Sequence, residues 1–353
     1  MTFGLTALNG IGMAAQSEDC LMVWRICHSA SATSACHLLS FSEQSERMPF
    51  CCAKMAKSQK SMNLTPNFKD YELIDSGEGE KLERFGRYTL RRPEPQAVWR
   101  KSLDEKEWQR LADASFLRTD RSEERGEWRN KPQMKDRWNI RYDYKDMHLT
   151  MRLACTAFKH IGIFPEQAAN WNFIYDTCRA KLERKGAKPK VLNLFAYTGG
   201  ATLAAAASGA EVTHVDSVKQ VVTWSRENME SSNLDGIRWI VEDALKFVQR
   251  EVRRGNRYDG IILDPPAYGR GANGEKWVLE QNIAEMLEAC AELLAEDGFL
   301  VLNLYSMGLS STIARTLVHQ MFGAPAKEEF GELYFTDRAD KELPFGTYYR
   351  MKR

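Results

Sequence analysis

Residues Val191–Gly200 read VLNLFAYTGG, and the interpretation of this stretch decides the fold. Val191, Leu192, Leu194 and Phe195 form a short apolar run of the kind that fits the centre of a parallel sheet covered on both faces. Thr198, Gly199 and Gly200 then turn the chain, and the alanine-rich segment from Ala201 to Ser208 favours a helix. A glycine turn between strand and helix lets a ligand approach backbone that no Cβ shields, at the edge where open α/β sheets bind nucleotides. A glycine pair in such a turn also serves simple packing, so the downstream sequence has to decide between the two.

Glu211–Asp216 (EVTHVD) predicts a second strand whose last residue is an acid, roughly twenty residues past the turn. A carboxylate there can accept two ribose hydroxyl hydrogens at once. A third strand, Ile237–Val241, ends in Glu242-Asp243-Ala244. A fourth, Tyr258–Leu263, ends in Asp264-Pro265-Pro266-Ala267-Tyr268. Four successive strands therefore deliver small or acidic groups to one edge of one sheet.

In this order the segments NLFAYTGG, HVD, VEDALKF and ILDPPAY resemble the class I S-adenosylmethionine-dependent methyltransferases. Within that class they look most like the RlmI and RlmK type of ribosomal RNA methyltransferases, over about Arg137 to Arg353. The resemblance implies a Rossmann-like α/β fold, a seven-stranded sheet with helices on both faces, and S-adenosyl-L-methionine as cofactor. It implies that Asn193, Phe195, Ala196, Thr198 and Gly199 meet the amino-acid end of the cofactor. Asp216 with Ser217 would meet its ribose, and Asp243 with Ala244 its adenine. GIFPEQAAN resembles a GLF-x-x-Q motif, so Phe164, Glu166, Gln167 and Asn170 become candidates for the methionine end, although helix packing explains Phe164 as easily. Asp264, Pro265 and Tyr268 would hold the acceptor, with Asp264 also beside the cofactor. Methyl transfer needs nucleophile, methyl carbon and sulfur in line and water excluded. The Asp264 carboxylate and the Pro265 carbonyl can accept the hydrogens of a base amine, and Tyr268 can stack on a base that has been unstacked or flipped.

One branch of the resemblance fails. Relatives that methylate carbon 5 of cytosine add a cysteine thiolate to the ring, and the family carries that cysteine after strand five. Here the place reads NLYSMG, Asn303–Gly308, and DPPAY has no cysteine either. Transfer to a nitrogen, or less readily an oxygen or carbon, of an RNA base is the expected reaction, with ribosomal RNA as partner. A protein or small-molecule acceptor is the main alternative, and a catalytically silent RNA-binding protein the second. A dehydrogenase would want G-x-G-x-x-G, which is missing, and would leave DPPAY unexplained.

Outward from this core, 353 residues are enough for two domains and a tail. The net charge of +1 gives no global field to attract a polyanion, so any nucleic-acid surface must be a local patch. No unbroken apolar run approaches membrane-spanning length. The eight cysteines fit a reduced, cytoplasmic chain. Residues 1–61 lack periodicity and are expected to be disordered or a spurious extension. Their pairs Cys27-His28 and Cys36-His37 match no standard zinc spacing, and no metal site is expected.

Residues 62–136 predict a small β-rich domain and residues 137–353 the methyltransferase domain. From Tyr71 the chain alternates as an antiparallel unit. Next come Trp99, Trp108, Phe116, Trp128 and Trp138 amid Arg84, Arg87, Arg91, Arg92, Arg100 and Lys101. Between Lys81 and Lys145 basic residues exceed acidic ones by about six. Such interleaving suits a single-stranded RNA surface and equally a small domain with a tryptophan core and a solvated charged face. Arg137–Leu153 predicts a hairpin turning near Lys145-Asp146, and Tyr268–Glu275 a flexible lid or substrate loop before a helix from Lys276. The sequence leaves the oligomeric state open, a homodimer included.

Overall fold

The chain first builds an antiparallel unit from β1 (Tyr71–Gly77), β2 (Glu80–Phe85) and β3 (Tyr88–Pro93), extended through α1 (Glu105–Leu111) by β4 (Ala114–Thr119) and β5 (Ser122–Asn130). Asp104 caps α1 by accepting from the Glu107 N–H at 2.8 Å. β6 (Arg137–Tyr144) and β7 (Met147–Ala154) form the expected hairpin, with Lys145 at φ 50° in its turn. The structure is a computed structural model that describes residues 61–119, 122–271, 274–305 and 308–353. The expectations for residues 1–60, including the two Cys-His pairs, lie outside the described residues.

A 3-10 turn at Pro165–Gln167 opens α2 (Ala168–Lys185), as Pro at a helix start favours. The alternation β8 (Lys190–Leu194), α3 (Gly200–Ala207), β9 (Glu211–Asp216), α4 (Lys219–Ser231), β10 (Arg238–Val241), α5 (Ala244–Arg253), β11 (Tyr258–Leu263) then follows the sequence reading closely. After β11 the structure departs from it. The expected loop is a short hairpin, β12 (Tyr268–Arg270) paired with β13 (Lys276–Val278), and the helix α6 (Leu279–Leu293) begins three residues late. The Trp277 indole N–H donates to the Pro266 carbonyl at 2.7 Å, and the Asn282 side chain accepts from the Val278 N–H. Strands of three residues are too short to show a period, so only these tertiary bonds define them. β14 (Leu294–Leu304), α7 (Ser311–Phe322), β15 (Lys327–Thr336) and β16 (Glu342–Lys352) complete the chain.

The main sheet has the order β10-β9-β8-β11-β14-β16-β15. Its first five strands are parallel, and β16 and β15 close it antiparallel. Successive residues of one strand feed opposite faces. Val191, Ile262 and Val301 pack with α2 and α3, whereas Leu192, Ile261, Leu263, Leu300 and Leu302 pack with α5, α6 and α7. Each such buried aliphatic side chain contributes about 1.5–3 kcal/mol. The first of these cores also includes Phe68, Tyr71, Phe85 and Trp138, so the N-terminal strands share apolar packing with one face of the sheet. The order reverses between β8 and β11. In open α/β sheets the crevice at such a reversal is the ligand site.

Of the N-terminal aromatics, Trp108, Phe116 and Trp138 are buried, and Trp99 and Trp128 are half-buried with their indole N–H groups bonded at 3.1 Å. Arg84, Arg91, Arg92 and Lys101 form ion pairs with Glu72, Glu80, Glu83 and Glu80 at 2.6–3.0 Å. The core-and-solvated-face reading therefore holds for most of this segment. Arg87 and Arg100 have no acidic partner among the described residues.

Candidate functional site

A cleft opens at the reversal, between the carboxyl ends of β8 and β11, lined among others by Phe164, Gln167, Asn170, Asn193, Phe195–Gly200, Asp264 and Asn303. The turn after β8 is tightly wound: Phe195, Tyr197 and Gly199 have φ of 54°, 49° and 90°. Two non-glycine residues in the left-handed region cost of order 1–3 kcal/mol each and persist only when their surroundings hold them. Three side chains do so. Thr198 donates to the Gly162 carbonyl at 2.7 Å, Ser225 to the Tyr197 carbonyl at 2.7 Å, and Asn228 to the Thr198 carbonyl at 2.9 Å. The two glycines differ in purpose. Gly199 supplies the positive φ, while a Cβ at Gly200 would stand 2.3 Å from the Trp171 ring.

Along the edge, Asp216 accepts from the Tyr197 and Val218 N–H groups at 3.0 and 2.9 Å. Those bonds leave two lone-pair directions for hydroxyl donors. Desolvation raises its pKa in spite of both bonds. Asp243 caps α5 by accepting from the Lys246 N–H at 3.0 Å, with Ala244 buried beside it. Val241 pairs with Asp216 in register, so the two acids are neighbours at adjacent strand ends, with Ser217 next along the chain. None of these four residues lines the cleft itself.

The floor of the cleft is a polar cluster. Asn170 donates to Gln167 at 3.0 Å and to Asn303 at 2.8 Å, and Gln167 in turn donates to the Tyr305 hydroxyl. Glu166 is buried, with Oε2 unpartnered, and desolvation pushes its pKa up to about 8. Asp264 has a buried Oδ1 with no partner, and desolvation raises its pKa to about 7. Tyr305 sits close to both carboxyls, and burial raises its pKa well above the ordinary phenol value, with Asp264 and Glu166 adding to the effect. Phe164 closes the upper side, its ring 5.4 Å from Tyr197 and 5.7 Å from Tyr305. Pro265 is buried, Tyr268 is 51% exposed at the rim, and the Arg270 Nε–H reaches the Tyr268 hydroxyl at 3.1 Å. The Pro266 and Ala267 carbonyls are taken by Trp277 and Leu279, whereas the Pro265 carbonyl accepts from no described residue.

Sequence reasoning missed Trp277, Tyr305, Thr202 and His214. Trp277 packs on Phe195 at a centroid distance of 4.8 Å and so supports the turn from below. Asn193 donates to Thr202 at 2.8 Å and Thr202 bonds to His214 at 2.9 Å, so the Asn193 amide braces the strand while lining the cleft. Burial pushes the His214 imidazole down to about 3, which keeps it neutral. The signal was a Thr and a His in the middle of apolar segments, where only a mutual bond makes burial tolerable.

Residues 135–319 match the family described as S-adenosylmethionine-dependent methyltransferase. The chain belongs to this family. A crystal structure of a family member from Agrobacterium tumefaciens is 38% identical, with a TM-score of 0.76, over 83% of this chain and 94% of that one. SMU.776, solved in complex with SAH, aligns over 82% of this chain and 76% of its own at 16% identity and a TM-score of 0.61, a likeness of fold alone. Among curated relatives, ribosomal RNA large subunit methyltransferase K/L of Shewanella frigidimarina is 28% identical over 187 residues, 52% of this chain and 25% of that protein. Methyltransferase K of Neisseria meningitidis is 28% identical over 148 residues, 41% of each. The chain thus spans only about a quarter to two fifths of the length of these curated relatives.

The site's residues suit the family's cofactor. Phe195–Gly200 line the cleft with their turn, Asp216 keeps acceptor capacity for a ribose, and the unpartnered Asp264, Glu166 and Asn170 oxygens await donors. Among the described residues no group of three His, Cys, Asp or Glu side chains could hold a metal ion, and no helix is long and apolar enough to cross a membrane.

Proposed function

We propose that the chain transfers a methyl group from S-adenosyl-L-methionine to a nitrogen of an RNA base, in ribosomal RNA, in the cytoplasm. The observation that carries this reading is the buried, unpartnered Oδ1 of Asp264 at the start of Asp264-Pro265-Pro266-Ala267-Tyr268, with no described residue donating to the Pro265 carbonyl and Tyr268 exposed at the rim. The curated relatives' names support the choice of ribosomal RNA.

When bound, the cofactor supplies a methyl group already activated on its sulfonium. Asp216 and Ser217 hold the ribose, Asp243 and Ala244 the adenine, and Asn193 to Gly199 the amino-acid end. Phe164, Gln167 and Asn170 fix the side of the cleft where methyl transfer takes place. Asp264 and the Pro265 carbonyl accept the two hydrogens of an exocyclic amine, which aims its lone pair, and Tyr268 stacks on the base. Proximity and alignment of this kind can contribute several kcal/mol to a barrier. Asp264 must be ionised to accept, so kcat/KM should rise with pH through about 7, its value in the free protein. Among the described residues no cysteine lines the cleft, which fits a nucleophile that needs no covalent activation.

The test is incubation of the full chain with methyl-labelled S-adenosylmethionine and the RNA, protein and small-molecule fractions of cells lacking it. Label in ribosomal RNA is the expected result. Label confined to protein or small molecules would overturn the choice of acceptor, and a folded protein that binds no cofactor would overturn the reading entirely.

A further inference from the structure

Several basic residues of the N-terminal segment are spent on ion pairs, but Arg87, Lys135 and Arg137 form none among the described residues. Arg87, Lys135, Arg137 and Arg152 surround a single open concavity together with Trp138 and Asn139. Arg87 lies in the turn between β2 and β3, and Lys135 and Arg137 lead into β6. Arg152 lies on β7, directly opposite Asn139. Arg87, Lys135 and Arg137 are exposed and have no carboxylate within 4.0 Å among the described residues.

Arg152 is held rather than loose. Its guanidinium lies 4.4 Å above the Trp224 ring, and the Trp224 indole N–H donates to the Arg152 carbonyl at 2.9 Å. Its Nε is 2.8 Å from a Glu227 oxygen, yet the angle is too poor for a hydrogen bond and the buried Nε–H has no partner. Burial lowers its pKa, Glu227 opposes that, and the Arg137 charge adds to it. The acids near the concavity, Glu227 and Asp136, are engaged by Arg152 and, through a long 3.4 Å bond, by Asn130. Three exposed cations without a carboxylate partner, beside an Arg152 whose charge Arg137 already disfavours, are most simply stabilised by a polyanion.

The placement fits a nucleic-acid acceptor. Met151, the residue before Arg152, lines the cofactor cleft, so the concavity and the cleft lie on opposite faces of the same strand. We propose that this concavity binds backbone phosphates of the RNA whose base enters the cleft, with Arg87, Lys135, Arg137 and Arg152 as the phosphate contacts. The inference rests on RNA being the acceptor. Phosphate contacts position a nucleic acid and bring salt dependence without reading its sequence.

The experiment uses the full chain and the triple variant Arg87→Ala, Lys135→Ala, Arg137→Ala, with Arg137→Glu as a single-site check. These side chains are exposed, so melting temperature and cofactor affinity should match the unaltered protein. Binding of a fluorescent single-stranded oligouridine is measured across a salt series, and methyl transfer to ribosomal RNA from cells lacking the protein is measured at saturating cofactor. The expected result is about 10–100-fold weaker oligouridine binding, with a salt slope shallower by about two for three lost contacts. KM for RNA should rise while kcat holds. Unaltered affinity and salt slope in the triple variant, in a protein that does methylate RNA, would overturn this inference and leave the RNA reading standing. An unaltered protein that neither binds nor methylates RNA would overturn both.

Discussion

Two of the regions in which the molecule buries carboxylates treat them in opposite ways. In the N-terminal sheet, Glu83 is fully buried but receives Arg92 in a two-pronged pair at 2.7–2.9 Å, the Tyr71 hydroxyl at 2.9 Å and Lys81 at 3.6 Å. Desolvation alone would raise its pKa, yet Arg92, Lys81 and the hydrogen bonds carry it below the usual carboxylate value. Asp75 is equally satisfied, by Trp108, Lys341 and the Ser102 and Leu103 N–H groups. At the cleft, Glu166 and Asp264 keep unpartnered oxygens and raised pKa values. A buried acid with every lone pair matched is architecture. One left unmatched is a site that expects a ligand.

The largest effect should come from breaking the matched side. Arg92→Ala leaves Glu83 buried without its main partner, and removing one member of a buried pair costs about 3–5 kcal/mol. Chemical denaturation should show a loss of this size, with activity per folded molecule little changed. Retention of full stability would mean that water reaches Glu83 and that the two regions do not differ in kind.

On the unmatched side, Asp264→Asn should leave stability intact or improved, because it removes a carboxylate that gains nothing from burial. Methyl transfer should fall by about 10²–10³-fold, the usual loss when a preorganised polar partner of the reacting group is removed, while cofactor affinity measured by calorimetry changes little. Loss of cofactor binding in step with activity would reassign Asp264 from the acceptor to the cofactor.

Glu166 sharpens the contrast through pH. Its folded-state value of about 8 lies above the ordinary 4.5, so the native state keeps the proton longer than the unfolded chain. The stabilisation is full below about pH 4.5 and is lost as pH rises through about 8, with a slope of at most about 1.4 kcal/mol per pH unit from this group. In Glu166→Gln that part of the slope should vanish, as read from denaturation midpoints between pH 5 and 8, roughly the span between the two values. An unchanged slope would show that Glu166 is already neutralised by a partner.

Much of this is legible in the amino-acid sequence. The strand β8, the glycine turn and the acids of β9, β10 and β11 were readable because a buried strand is mostly apolar and Gly199 marks one of the positive φ angles of the turn, whereas Phe195 and Tyr197 adopt theirs without any such mark. The cluster around Asp264 was half legible. Gln167 carries a motif, but Tyr305 bonds it from 138 residues away and Asn303 meets Asn170 from 133, and no periodicity reports contacts of that kind. The N-terminal charges left two readings open for a related reason. Arg91 on β3 and Lys101, just before α1, both converge on Glu80 of β2, and counting charges along a chain cannot reveal which of them neutralise each other. What counting did preserve was the excess, and three of those residues, Arg87, Lys135 and Arg137, stand around one concavity.

The smallest effect, and the finest test of the comparison, lies at Asp216. It falls between the two classes: two of its lone-pair directions are filled by the Tyr197 and Val218 N–H groups and two are open. Asp216→Asn keeps an oxygen for one backbone bond but turns the other half of the group into a donor, which a ribose hydroxyl and a backbone N–H both meet less well. Hydrogen bonds to a charged acceptor are worth about 1.5–3 kcal/mol, and with part of that retained cofactor affinity should drop about tenfold. Stability of the free protein should change by less than about 1 kcal/mol, since the raised pKa of Asp216 shows that its charge is poorly rewarded without ligand. Calorimetric titration with S-adenosylhomocysteine and a melting curve on the same sample separate the two quantities. A large loss of stability with unchanged affinity would place Asp216 with Glu83, as a brace for the Phe195–Gly199 turn rather than a ribose partner.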